Sequence, residues 1–142
     1  MGLIGRNDVD VVVELVGGEG IALDLVRTSL SNGKPVVTAN KAILAGFGQE
    51  LFESAAKNDV AMGFEASVAG GIPIIGAITS GLTANEISRV AGILNGTCNY
   101  ILTAMTDAGT AYDAALKTAQ ELGYAEADPT FDVGGIDAAH KL

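Results

Sequence analysis

The run Val11-Val12-Val13-Glu14-Leu15-Val16 is apolar and β-branched and stops at Gly17-Gly18. That is the pattern of a buried parallel strand feeding a tight turn. Behind it, Ile21, Leu23, Leu25, Val26 and Leu30 recur at helical spacing and end at Asn32-Gly33, a helix C-terminal signal. Residues 35–39 predict a second strand, 41–57 a second helix and 60–65 a third strand. This β-α-β-α-β order predicts a right-handed parallel sheet, half of a doubly wound α/β domain. Beyond Gly70-Gly71 the pattern changes. A short helix over 73–82 and a strand over 86–94, in which Ile87, Arg89 and Ala91 alternate with Ser88, Val90 and Gly92, open an α+β second part. Helices are expected over 97–106 and 112–122, and a last one from Gly135 or Ile136. No repeat or Ser/Pro-rich linker intervenes, so the boundary near Phe64 to Ser67 reads as a compact hinge.

Candidate chemistry concentrates late in the chain. Residues 123–141 gather Glu126, Asp128, Asp132, Asp137 and Lys141 in an otherwise apolar sequence. In a helix starting near Gly135, Asp137 and Lys141 stand at i and i+4 on one face, a candidate proton relay. A second reading makes Asp128-Pro129 a turn opener and Asp132 a cap. Earlier, Thr38-Ala39-Asn40-Lys41 falls at the carboxyl end of a strand, where open parallel sheets gather ligands. Asn40 can equally cap the next helix, but Lys41 in a first turn opposes the helix dipole unless an anion compensates. The turn at Val16, Gly17 and Gly18 lets backbone approach a ligand or merely permits the bend. Glu65 with the glycine-rich backbone to Pro73 can offer one carboxylate and several carbonyls to a cation, or serve as a hinge. Asn95-Gly96-Thr97 opens a helix whose first amides suit a carboxylate, with Thr97 alternatively a cap. Cys98 has no neighbouring cation in sequence and reads as packing, as does His140.

Composition narrows the class. The chain has 142 residues, 49% hydrophobic, with 19 glycines. That is rich for a free-standing domain of this size, so some apolar surface is expected to meet a partner. A formal charge of -9 argues against nonspecific nucleic-acid binding. The single cysteine, Cys98, cannot form an internal disulfide and no basic-then-apolar signal opens the chain, which favours the cytoplasm. No apolar stretch approaches the roughly 20 residues that cross a bilayer.

Three of these stretches, Thr38-Ala39-Asn40-Lys41-Ala42, Phe64 to Ile75 and Gly123 to Lys141, resemble homoserine dehydrogenases. The resemblance runs from about Asp10 to the last residue. It implies a Rossmann-like NAD(P)-binding part over residues 1–65 and the start of an α+β catalytic and dimerisation domain over 66–142. It implies interconversion of L-homoserine and L-aspartate 4-semialdehyde with NAD or NADP, in a homodimer. Lys141 would be the acid/base, oriented by Asp137. Glu126 would meet the substrate ammonium, Thr97, Gly96 and Lys41 would fix the amino-acid end, and Asp132 would hold the lysine or a water. Val16, Gly17, Gly18, Thr38, Lys41 and Gly123 would line the cofactor. A sodium ion would take Glu65 with Val68, Gly70 and Ile72.

Two other classes fit the same residues: a divalent-metal hydrolase built on Glu126, Asp128, Asp132 and Asp137, and a noncatalytic interaction module. No Gly-x-Gly-x-x-Gly turn follows any strand, so nothing visible cradles a pyrophosphate and the chain reads as a fragment of its family. Calorimetry with NAD(P)H on these 142 residues is therefore expected to give weak or no binding, and submicromolar affinity would contradict the fragment reading.

Overall fold

Strands β1 (Val12–Glu14), β2 (Val36–Thr38) and β3 (Met62–Gly63) pair in parallel in the order β1-β2-β3. The register sets Val12 beside Val36 and Val36 beside Met62, with Val13, Val37 and Gly63 alternating to the other face. Helices α1 (Gly20–Ser31) and α2 (Lys41–Lys57) cover the first face, giving a core of Leu23, Val26, Leu30, Val36, Ile43, Leu51 and Ala55. The expected β-α-β-α-β order and parallel sheet are both present. The opposite face is bare: Val13 is 60% and Val37 42% exposed, whereas parallel sheets are ordinarily covered on both sides. Ile21, expected on the buried stripe of α1, is exposed instead, because Ala22, Leu23, Val26, Ser29 and Leu30 form the buried row.

The computed structural model describes residues 2–142, in two compact units, one ending at Glu86 and the other spanning Ile87–Leu142. The first unit closes with a 3₁₀ turn (Glu65–Ser67) and the short helix α3 (Ile74–Gly76), which runs into a π-helical turn, Ala77–Gly81. The second holds α4 (Gly96–Ala108), α5 (Tyr112–Glu121), α6 (Thr130–Val133) and α7 (Ile136–Lys141), with Ile101, Ala115, Ala119 and Ala125 as its core. No helix among the described residues is long and apolar enough to cross a membrane.

The strand expected over 86–94 does not form. Residues 86–95 have no regular structure, and Ile87, Val90 and Ile93 are exposed. Alternation sorts side chains between two faces, but a strand exists only where a neighbouring backbone accepts and donates its hydrogen bonds. Among the described residues the strands that pair are β1, β2 and β3.

At the carboxyl end of the sheet, the register that packs Val12 against the core also buries Glu14 beside Thr38. Glu14 is 2% exposed. Its Oε1 accepts from the amides of Val16 (2.8 Å) and Gly17 (2.9 Å), and its Oε2 from the Thr38 hydroxyl (2.6 Å). Thr38 Oγ1 in turn accepts from the Asn40 amide, and Asn40 Nδ2 donates to the Gly18 carbonyl at 2.7 Å. Asn40 Oδ1 takes the amides of Ala42 and Ile43, so the expected cap of α2 is real. One buried carboxylate thus ties the β1–α1 turn to the β2–α2 turn.

Burial by itself would raise the Glu14 carboxyl, but the Thr38 hydroxyl, the Gly17 and Val16 amides and Asn40 outweigh it and hold the group below its ordinary value of 4.5. A carboxyl lowered in the folded state stabilises the fold above its unfolded value and loses that contribution as pH falls through the folded one. Glu14→Gln is expected to cost about 1–3 kcal/mol at neutral pH. In urea titrations the gap between variant and parent should shrink below pH 4.5, and a gap independent of pH would refute this account.

Candidate active site

In the second unit, the left-handed Gly135 (φ 77°) starts α7 and sets Asp137 and Lys141 on one face, as the spacing predicts. Lys141 Nζ lies 2.7 Å from Asp137 Oδ2 and donates to the Leu94 carbonyl at 2.7 Å. An ammonium has three donors, so two of them are engaged here. Asp137 is 7% exposed. Asn95, just before α4, donates from Nδ2 to Asp132 Oδ1 (2.7 Å) and to Asp137 Oδ2 (2.8 Å), while its Oδ1 caps α4 at the Cys98 amide. Asp132 therefore meets Asn95, and the lysine is held by Asp137 and a carbonyl.

These groups face a cleft of about 760 Å³ whose wall includes Gly96, Thr97, Gly123, Tyr124, Asp132 and Lys141. The Thr97 hydroxyl donates to the Tyr124 carbonyl at 2.6 Å and pins the 123–125 turn across the start of α4. Gly123 takes φ 77°, which that turn requires. Tyr124 stacks at a tilt on Tyr100, with centroids 5.1 Å apart. In the sequence Asn95 signals only a helix start, and Tyr124 and the Leu94 carbonyl signal nothing. An asparagine directly before a helix signals a cap, and nothing local signals that its amide also bridges two acids far along the chain.

The four carboxylates do not converge. Glu126 is exposed and outside the cleft wall, because the Tyr124 and Ala125 amides turn back to the Ala119 carbonyl and leave 126–128 on the surface. Asp128 accepts from the amide and hydroxyl of Thr130, which lowers its carboxyl and makes it the turn opener of α6. Among the described residues no group of three or more His, Cys, Asp or Glu could hold a metal ion. Burial pushes the Cys98 thiol up, and the charges of Asp132 and Asp137 push it further, the opposite of an activated thiolate. His140 packs edge-on against Phe131.

In the first unit, Gly17 and Gly18 take φ 78° and 71°, and a Cβ on either would meet nothing within 4 Å. The turn is open at both glycines. Its Val16 and Gly17 amides point inward to Glu14, and Thr38, 1% exposed, spends its hydroxyl inside the same network. The Val16 and Gly17 amides and the Thr38 hydroxyl are thus already engaged by Glu14. Lys41 is the half-buried first residue of α2. At the bend, Glu65 accepts from the amides of Ile75 (2.9 Å) and Gly76 (2.8 Å), and the Ile72 carbonyl accepts from Ile74. Ala69 (φ 49°) and Gly71 (φ 82°) turn the backbone there.

Residues 1–65 match the family model described as homoserine dehydrogenase, NAD binding domain, and residues 73–142 the one described as homoserine dehydrogenase. A homoserine dehydrogenase of Neisseria gonorrhoeae is 58% identical over 140 residues, 99% of this chain and 32% of that protein. A solved homoserine dehydrogenase from Thiobacillus denitrificans matches with a TM-score of 0.87 and 57% identity, over 97% of this chain and 32% of that one. A hyperthermophilic archaeal homoserine dehydrogenase in complex with NADPH matches at 0.85 and 33% identity, over 99% of this chain and 43% of that one. The chain spans about a third of the length of the curated relatives it matches. With one half fitting the family's NAD-binding part and the other its dehydrogenase part, the chain belongs to the homoserine dehydrogenase family.

Proposed function

We propose that the protein carrying this chain interconverts L-homoserine and L-aspartate 4-semialdehyde with NAD or NADP, in the biosynthesis of threonine and methionine. The observation that carries this reading is the Asp137–Lys141 pair at the wall of an open cleft, with one ammonium donor left after Asp137 and Leu94. Oxidising a carbinol removes a hydride from carbon and a proton from oxygen, and the dinucleotide supplies the hydride acceptor. The chain's own task is the proton. Lys141 gives it to the carbonyl oxygen in reduction and takes it from the hydroxyl in oxidation. Asp137 and the Leu94 carbonyl fix the direction of the amine. Asp132, at the same wall, suits the substrate ammonium, with Thr97 and Gly96 beside the amino-acid end. Glu126 reaches that ammonium only if the exposed 126–128 segment turns toward the cleft.

The open glycine turn after β1, with Val16 and Lys41, is the part of this chain suited to the nicotinamide side of the dinucleotide. Gly123 belongs to the cleft wall and would meet the cofactor from there. We further assign residues 1–65 to the cofactor domain and 66–142 to a catalytic domain that dimerises, in a cytoplasmic enzyme; the ranges 1–65 and 73–142 of the family models support that division. The sodium assignment at Glu65, Val68, Gly70 and Ile72 fits in part, since both Glu65 oxygens and the Ile72 carbonyl already accept an amide proton.

The test is a chimera in which this chain replaces the matching 140 residues of the Neisseria gonorrhoeae relative. It is expected to oxidise L-homoserine with NAD(P), and an inactive but folded chimera would contradict the reading. Lys141→Ala should lower turnover by roughly a hundred- to ten-thousand-fold, as lost acid/base catalysis does. Groups acting as a unit are non-additive, so adding Asp137→Ala should cost little more. A double variant that loses the product of both single effects would assign Asp137 to substrate binding instead.

A further inference from the structure

Leu94 and Asn95 grip the Asp137–Lys141 pair from both ends. The Leu94 carbonyl takes the Lys141 ammonium, and the next side chain, Asn95, takes Asp137 and Asp132. Asn95 is 8% exposed, so its amide must be satisfied inside the protein. Its orientation follows from the network: Oδ1 accepts from the Cys98 amide, which leaves Nδ2 and its two protons for the two acids. A flipped amide would set donor against donor and oxygen against carboxylate.

We propose that Asn95 is a positioning residue for proton transfer, acting by bridging Asp132 and Asp137 so that Asp137 stays fixed on Lys141. The proposal rests on the dehydrogenase reading. Both carboxylates lie within 2.8 Å of one nitrogen, so they repel each other at close range in a half-buried place. A primary amide offers two diverging donors to one site with no charge and no proton to lose. Serine has one donor, aspartate none, and lysine would add a second cation that competes with Lys141 for Asp137. The titratable groups around the bridge include Asp132 on α6, Asp137 and Lys141 on α7, Cys98 and Tyr100 on α4, and Tyr124 on the turn after α5. Only the two aspartates accept from Asn95 Nδ2.

The plain alternative is that Asn95 merely caps α4. Serine and aspartate cap helices about as well as asparagine, so Asn95→Ser and Asn95→Asp keep the cap and remove the bridge. In the chimera, both variants keep the cap of α4, and at a temperature where they are folded kcat is expected to fall by about ten- to hundred-fold, the usual consequence of a small misplacement of reacting groups. Asn95→Asp should be the worse, since it adds a third carboxylate. Combined with Asp137→Ala, Asn95→Ser should lose little more than Asp137→Ala does. Variants with parental kcat, or a double variant showing the product of both losses, would overturn the proposal. On the 142-residue chain itself, NMR couplings across hydrogen bonds should connect the Asn95 side-chain amide to both aspartate carboxyl carbons, and their absence would also overturn it. A chimera without any activity alongside intact couplings would sink the dehydrogenase reading and leave the bridge standing.

Discussion

Hydrogen bonds to buried carboxylates fix the chemical end of each unit. Taking a charged acid out of water is costly unless donors replace the lost hydration. Glu14 receives two backbone amides and a hydroxyl, and Asp137 receives an amide and an ammonium. Those donors come from the β1–α1 turn, the end of β2, the start of α4 and the end of α7, so satisfying the acid fixes segments well placed to touch ligands. Without Glu14, only the Asn40 Nδ2 bond to the Gly18 carbonyl is left among the side-chain bonds that tie the β1–α1 turn to the start of α2. Without the Asn95 bridge, Asp132 on α6 and Asp137 on α7 lose the one donor they share.

Much of the fold was legible in the sequence because it follows from local period and caps. Both covering helices, the Asn40 and Asn95 starts and the turn of α7 at Gly135 are set by neighbours within a few residues, and the parallel sheet follows from the β-α-β-α-β order that they make. The strand over 86–94 failed because alternation carries no information about a pairing partner. Ile21 and Leu25 form a row beside the buried one, and composition does not say which row a sheet will cover.

The site was legible in part, and for the same reason. The i,i+4 relation of Asp137 and Lys141 is local and could be read directly. Asn95 to Asp132, Asn95 to Asp137 and Lys141 to Leu94 span 37, 42 and 47 residues, and these contacts decide which acids gather. Glu126 looked equivalent to Asp132 in the acidic run, yet only Asp132 meets the buried amide. Glu14 read as one polar residue in an apolar strand, and its weight became visible only when the parallel register set it beside Thr38.

The central claim is that Lys141, held by Asp137 and the Leu94 carbonyl, carries its remaining proton to the substrate oxygen. The most direct measurement is a crystal structure of the chimera with L-homoserine and the oxidised dinucleotide. The account predicts the substrate hydroxyl oxygen within hydrogen-bond reach of Lys141 Nζ, about 2.6–3.2 Å, with the Asp137 and Leu94 contacts retained. A hydroxyl bound to any other group, with Lys141 turned to the substrate carboxylate, would contradict it.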